Sequence, residues 1–160
     1  MPAFDASSIL HGWINYPPVQ FPKLWDWIAD EIAAGRFTIS RIALDETGHR
    51  SPDCQKWLKA KSIQELPPTQ AVVTHALAMK SALGIVNDKY HPNGVDENDL
   101  LIIAAAKEDG CELISNEARQ PALPVMMVRY KIPAVCSMAT VNVPCVDFLD
   151  VLTRSGKSFG

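Results

Sequence analysis

The feature that most restricts the fold of this chain is a repeated junction: a short apolar run ends on a polar residue that opens a helix. Pro2-Ala3-Phe4-Asp5 leads through Ala6-Ser7-Ser8 into Ile9 and Leu10, a buried strand running into a helix start. Phe37-Thr38-Ile39 runs into Ser40, an N-cap for a helix carrying Ile42, Leu44, Asp45 and Glu46. Cys111 to Ser115, Pro124 to Val128 and Val143 to Val146 read as further strands, the last followed by a closing helix from Asp147 to Leu152. Proline marks two more helix starts, Ser51-Pro52 ahead of Trp57 and Leu58, and Pro67-Pro68-Thr69 ahead of Gln70 to Leu83. Apolar spacing predicts a helix between Phe21 and Gly35, and Asp96 caps another, Leu100 to Lys107, that stops at Gly110. Pro92-Asn93-Gly94 is a turn. Short strands alternating with helices call for parallel strands joined by crossovers. The expected fold class is therefore α/β, a three-layer α/β/α sandwich on a short, mainly parallel central sheet.

A chain of 160 residues, 48% of them hydrophobic and 21% charged, suits one domain with a real core. No run nears the ~20 apolar residues that span a bilayer, and no basic segment followed by an apolar stretch opens the chain, so a cytoplasmic location is expected. Cys54, Cys111, Cys136 and Cys145 are widely spaced and read as reduced, semi-buried thiols. The four histidines are equally scattered, which argues against a structural zinc site. A net charge of −3 argues against a broad basic surface for nucleic acid, yet no acid stands between Glu117 and Asp147, where Arg119, Arg129 and Lys131 lie. A local basic wall beside an acidic pocket is compatible with that distribution.

Parallel sheets bind ligands beyond the carboxyl ends of their strands. Asp5 ends the first strand, Asp99 lies in the first turn of the helix that Asp96 opens, and Glu117 follows the Cys111–Ser115 run. Glu46, on the helix after Ile39, brings a fourth carboxylate to the same end. Hard carboxylate oxygens suit Mg²⁺ or Mn²⁺, and their mutual repulsion is tolerable only beside a cation. Such an ion lowers the pKa of a water and steadies the leaving oxygen of a phosphodiester. Simpler roles compete. Asp5 reads also as an N-cap, Asp99 as a dipole-matched acid and Asp96 chiefly as a cap. Asp45 and Glu46 point ~100° apart on a helix, so one faces the cleft and the other solvent. Trp13, Trp25, Trp27 and Trp57 offer base-stacking surfaces, but their spacing favours core or dimer packing. GxGxxG and P-loop motifs are absent, and an aspartyl-phosphate chemistry at Asp5 would call for an acid where Ser7 stands.

Phe4-Asp5-Ala6-Ser7-Ser8-Ile9-Leu10 resembles the opening strand and turn of PIN domains. Asp99-Leu100-Leu101-Ile102-Ile103-Ala104-Ala105-Ala106 resembles their third acidic motif, and Leu113-Ile114-Ser115-Asn116-Glu117 their fourth, with Glu where most have Asp. Phe21-Pro22-Lys23-Leu24-Trp25-Asp26-Trp27, Lys131 to Cys136 and Val143 to Asp147 look like the PIN-like toxin group long known as a domain of unknown function. The resemblance is strong at both ends and thin around residues 50–90. It implies a single PIN-like domain over residues 1–160 and a Mg²⁺- or Mn²⁺-dependent endoribonuclease that hydrolyses RNA with a metal-activated water. It implies further a bacterial toxin paired with a protein antitoxin, commonly a homodimer. By position it makes Asp5, Asp99 and Glu117, with Glu46, the catalytic and metal-holding acids, with Ser7 and Asp96 in support. Arg119, Arg129 and Lys131 are candidates for steadying RNA phosphates. Two other functions fit the same residues: a non-catalytic PIN-like module that binds RNA or a partner, and a metal-dependent phosphohydrolase of small molecules.

Overall fold

The computed structural model describes residues 1–160. Five short strands form one all-parallel sheet in the order β3-β2-β1-β4-β5: β1 (Ala3–Phe4), β2 (Thr38–Ser40), β3 (Gln64–Leu66), β4 (Leu113–Ile114) and β5 (Cys145–Val146). Eight α-helices flank it: α1 (Ala6–Asn15), α2 (Pro22–Ala33), α3 (Arg41–Arg50), α4 (Pro52–Ala60), α5 (Gln70–Ala82), α6 (Glu97–Asp109), α7 (Ile132–Ser137) and α8 (Phe148–Ser155). This is the three-layer α/β/α architecture expected of alternating strands and helices. Residue Phe4 pairs with Ile39 on one side and Ile114 on the other, so the central three strands end level with one another.

The polar junctions act as the sequence predicts. Asp5, Ser40, Ser51, Thr69, Asp96 and Asp147 each accept a backbone N–H in the first turn of the helix they open. Gly110 ends α6 in the left-handed conformation, φ 68°, which a glycine adopts without a Cβ penalty. The core is one contiguous cluster centred on Phe4, Ile39, Ile103, Leu113 and Ile114, between the sheet and the apolar faces of its helices. The tryptophans pack: Trp13, Trp25 and Trp57 meet with centroids 5.0–6.1 Å apart, and Trp27 meets Phe37 edge-on at 5.7 Å.

Three elements differ from the sequence reading. Pro124 to Val128 is not a strand; the segment bends and closes in a 3₁₀ turn, Met127–Arg129. Its apolar side chains Leu123, Val125, Met126 and Met127 face solvent, and the sheet edges are already β3 and β5. Strand β3 carries Gln64 and Glu65 exposed, as an edge strand can, and so shows no apolar run. Helix α7 starts around Pro133, which is tolerated in a first turn because that N–H has no partner to lose. No helix is long and apolar enough to cross a membrane.

Candidate metal centre

From β1 the chain steps outward to β2 and β3, then returns to lay β4 on the other side of β1. The β1–β4 boundary is therefore the topological switch point, and the crevice beyond its carboxyl end is the place where such sheets bind ligands. Asp5 follows β1 there, and Ser115 and Glu117 follow β4.

Asp5 is 2% exposed. Its Oδ1 accepts from the Ser8 N–H at 2.8 Å and from the Ser7 hydroxyl at 2.7 Å, and Oδ2 lies 2.9 Å from the same hydroxyl. The residue thus caps α1 while closing the strand, so its two predicted roles coexist. Ser7 Oγ also accepts the Asn116 N–H at 2.9 Å and lies 3.4 Å from Ser115 Oγ. Ser115 Oγ in turn accepts the Glu117 N–H at 3.2 Å. The turn that carries Glu117 is tied through two hydroxyls to the turn that carries Asp5. Asn116, not anticipated as a site residue, holds this turn to α8 by accepting the Phe148 N–H at 3.0 Å on Oδ1. Ser115 had a signal, a buried hydroxyl two residues before an acid; the part played by the Asn116 backbone has none.

Asp99 and Asp96 form a reciprocal capping box. Asp96 Oδ1 accepts the Asp99 N–H at 2.8 Å, and Asp99 Oδ2 accepts the Asp96 N–H at 3.0 Å. Asp96 is exposed and works as the cap, whereas Asp99 is half-buried. Glu46 is half-buried on α3, near enough to Asn98, Asp96 and Asp5 to feel each of them, while Asp45 beside it is exposed. Of the two neighbours, Glu46 is the one on the cleft side of α3, and Asp45 faces solvent.

Electrostatics mark the same group. Burial pushes the Asp99 carboxyl up to about 8; the charges of Asp96, Glu46 and Glu117 add to it, against the hydrogen bond from the Asp96 backbone. Burial also raises Glu46, with Asp96 and Asp5 adding and Asn98 and Arg50 opposing. Burial raises Asp5, against the hydrogen bonds from Ser115, Ser7 and Ser8. None of the six ion pairs in the chain includes Asp5, Glu46, Asp96, Asp99 or Glu117. Carboxylates are gathered here without a paired cation.

Asp99 and Glu117 share a cavity of about 230 Å³ with Lys131, Val95, Ile132 and Gly94. Gly94 is required by contact: a Cβ there would stand 2.0 Å from the Val128 carbonyl oxygen. Gln120 fastens the facing segment, accepting the Lys131 N–H at 2.9 Å and donating to the Arg129 carbonyl at 3.1 Å. Of the three candidate cations, Lys131 lines the cavity and Arg129 is exposed on the 3₁₀ turn. Arg119 is engaged elsewhere, 3.3 Å from the Cys145 carbonyl oxygen and 3.7 Å from Asp150.

The donor set, carboxylates and hydroxyls, is that of a hard divalent cation. No three His, Cys, Asp or Glu side chains form a closed cage for an ion.

The family model described as "Domain of unknown function (DUF4411)" matches residues 3–159. The chain belongs to this family. Solved structures share the fold, among them "Crystal structure of VapBC2 from Rickettsia felis bound to a DNA fragment from their promoter". That structure is 13% identical with a TM-score of 0.54, over 91% of this chain and 97% of that one. At that identity the likeness is one of fold, and the fold is PIN-like as the sequence motifs implied. Among curated proteins, none matches the chain.

Proposed function

We propose that this chain is a divalent-cation-dependent endoribonuclease, the toxin of a bacterial toxin–antitoxin pair. The observation that carries this reading is the set of unpaired carboxylates at the switch point: Asp5 is buried, Glu46 and Asp99 are half-buried and Glu117 is exposed, and Asp99 and Glu117 line a cavity with Lys131. The motif resemblance supplies RNA as the substrate, and the likeness to VapBC2 supports a two-component toxin.

In this reading Asp5, Asp99 and Glu117 hold Mg²⁺ or Mn²⁺, with Glu46 completing the acidic wall. When bound, such an ion neutralises the acids, lowers the pKa of a water and polarises the phosphodiester. Ser7 and Ser8 fix the Asp5 carboxylate in one orientation, so its lone pairs are aimed before any ligand arrives. Ser115 holds the Glu117 turn against Asp5. The Lys131 ammonium offsets charge on the phosphate, and Arg129 extends that positive edge along the backbone of the strand. The apolar tip formed by Leu123, Val125, Met126 and Met127, flanked by cations, suits an antitoxin segment that is apolar and acidic.

Purified protein with Mn²⁺ is expected to cut RNA, and Asp5→Asn, which keeps the capping oxygen, is expected to fold and not cut. Equal cutting by the variant would sink the assignment. The absence of a closed three-ligand group favours one competing reading, a PIN-like binding module without catalysis. Calorimetry separates the two, since that module would bind no Mn²⁺ at millimolar concentration.

A further inference from the structure

Lys131 stands where local preference disfavours it. It is the N-cap of α7, without a side-chain oxygen to accept a first-turn N–H and with its charge at the positive end of the helix. A local rule broken beside a cleft points to work done by the side chain outside the helix. The ammonium enters none of the six ion pairs, although it shares its cavity with Asp99 and Glu117. What holds the residue there is its backbone. The Lys131 carbonyl accepts the Val135 N–H at 3.0 Å, and the Lys131 N–H donates to Gln120 Oε1 at 2.9 Å. Gln120 Nε2 donates to the Arg129 carbonyl at 3.1 Å, so one amide spans the backbone from Arg129 to Lys131. Between them the Tyr130 carbonyl accepts the Val95 N–H at 2.9 Å, next to the Asp96–Asp99 capping box. The three charged residues of the cavity thus sit on three segments tied together. Gln120, just beyond Glu117, joins the second acid to Lys131, and Tyr130 with Val95 joins Lys131 to Asp99.

We propose that Gln120 is a positioning residue for the RNA backbone: its amide sets Lys131 at the distance from the acids at which the ammonium meets a substrate phosphate. The inference rests on the nuclease reading and names how that site places its substrate. A lysine is a point charge on a flexible four-carbon stem, so where its charge can reach depends on where its backbone is anchored. An amide suits the anchoring because it offers an acceptor and a donor together, here to an N–H and a carbonyl two residues apart. Methionine fills similar space and offers neither, and asparagine is one methylene too short to span both. Gln120 touches neither the phosphate nor the cation; it acts through Lys131.

The test follows steady-state cutting of a single-stranded RNA in Mn²⁺ by the full chain, Gln120→Met, Lys131→Met and the double variant, with Mn²⁺ affinity measured separately by calorimetry. Each single variant is expected to raise KM about 10-fold, the share of one charge-assisted hydrogen bond. The kcat is expected to hold, because the contact binds ground state and transition state alike. The slope of log KM against log salt is expected to fall by about 0.7, that of one phosphate contact on a single strand. The double variant is expected to match Lys131→Met, since both changes remove one contact. Mn²⁺ affinity is expected to hold throughout, because Ser7 and Ser115 fasten the Glu117 turn without Gln120. Unchanged KM and salt slope in Gln120→Met, losses that add in the double variant, or Mn²⁺ affinity falling with cutting would each overturn the role of Gln120. Should Gln120→Met fail to fold, Gln120→Asn carries the same comparison. A parent chain that cuts no RNA overturns the nuclease reading and this role together; a cutting parent indifferent to Gln120 overturns the role alone.

Discussion

The Ser7 hydroxyl donates to Asp5 at 2.7 Å while accepting the Asn116 N–H at 2.9 Å, so one side chain clamps the two turns that meet at the switch point. Ser7→Ala removes a donor from a buried carboxylate and leaves the Asn116 N–H without its partner. The cost is about 1–3 kcal/mol of stability. Cation affinity is expected to fall ~10–100-fold, as when a ligand loses its supporting hydrogen bond. Mn²⁺ titration calorimetry on the folded variant checks this; unchanged affinity would mean that Asp5 needs no such support.

Asp96 and Asp99 share a capping box yet differ in what their charge does. Asp96→Ala is expected to cost about 1 kcal/mol through the lost N-cap and to spare activity in part. Asp99→Asn keeps an oxygen for the Asp96 N–H and removes a charge that burial disfavours. It is expected to match or exceed the parent in melting temperature while losing Mn²⁺ binding and cutting. A variant as active as the parent would remove Asp99 from the site.

Stability without metal is expected to depend on pH through Asp99. Its pKa rises from the ordinary aspartate value of 3.8 to about 8 in the fold. Across that window the folded chain holds a proton that the unfolded chain has released, so stability falls as pH rises. The contribution is full below the lower value and gone above the upper one. Thermal melts in chelator should therefore shift down between about pH 5 and pH 8. Asp99→Asn should flatten the dependence, and Mn²⁺ should raise the melting temperature most at the alkaline end. A melt that rises over this range in chelator, and does so equally in the variant, would contradict the assignment of the shift.

Gly94→Ala tests the wall of the cavity. The added Cβ meets the backbone carbonyl of Val128, which cannot swing aside as a side-chain tip would. The turn at residues 92–94 and the segment carrying Lys131 must part, at a cost of about 1–3 kcal/mol. RNA cutting is expected to fall more than Mn²⁺ affinity, since Lys131 moves while Asp5 does not. Equal loss of both would place the damage in the whole fold.

Strand–cap–helix junctions made most of this fold legible, because each pairs an apolar run with a polar residue whose role is local. Asp5, Ser40 and Asp96 could be read that way without knowing what they pack against. β3 could not, since Gln64 and Glu65 sit at an edge and carry no apolar signal. Leu123 to Met127 misled in the opposite sense: the apolar run is an exposed loop closed by a 3₁₀ turn, paired with neither edge strand of the sheet. At the site, Asp5, Asp99 and Glu117 were visible at strand ends and a helix start. The orientation of Glu46 against Asp45 depends on how α3 lies on α1 and α6, which a single helix does not encode. Arg119 reads as a free cation in sequence, and only tertiary packing commits it to Cys145 and Asp150.

The central claim is that these unpaired acids take up a divalent cation and that the loaded site cuts RNA. The direct measurement is cleavage of an end-labelled single-stranded RNA by the metal-stripped chain, with and without added Mn²⁺, beside Asp99→Asn of equal thermal stability. The account predicts cutting only with Mn²⁺ and only by the unmodified chain. Cutting in chelator, or equal cutting by the variant, would contradict it.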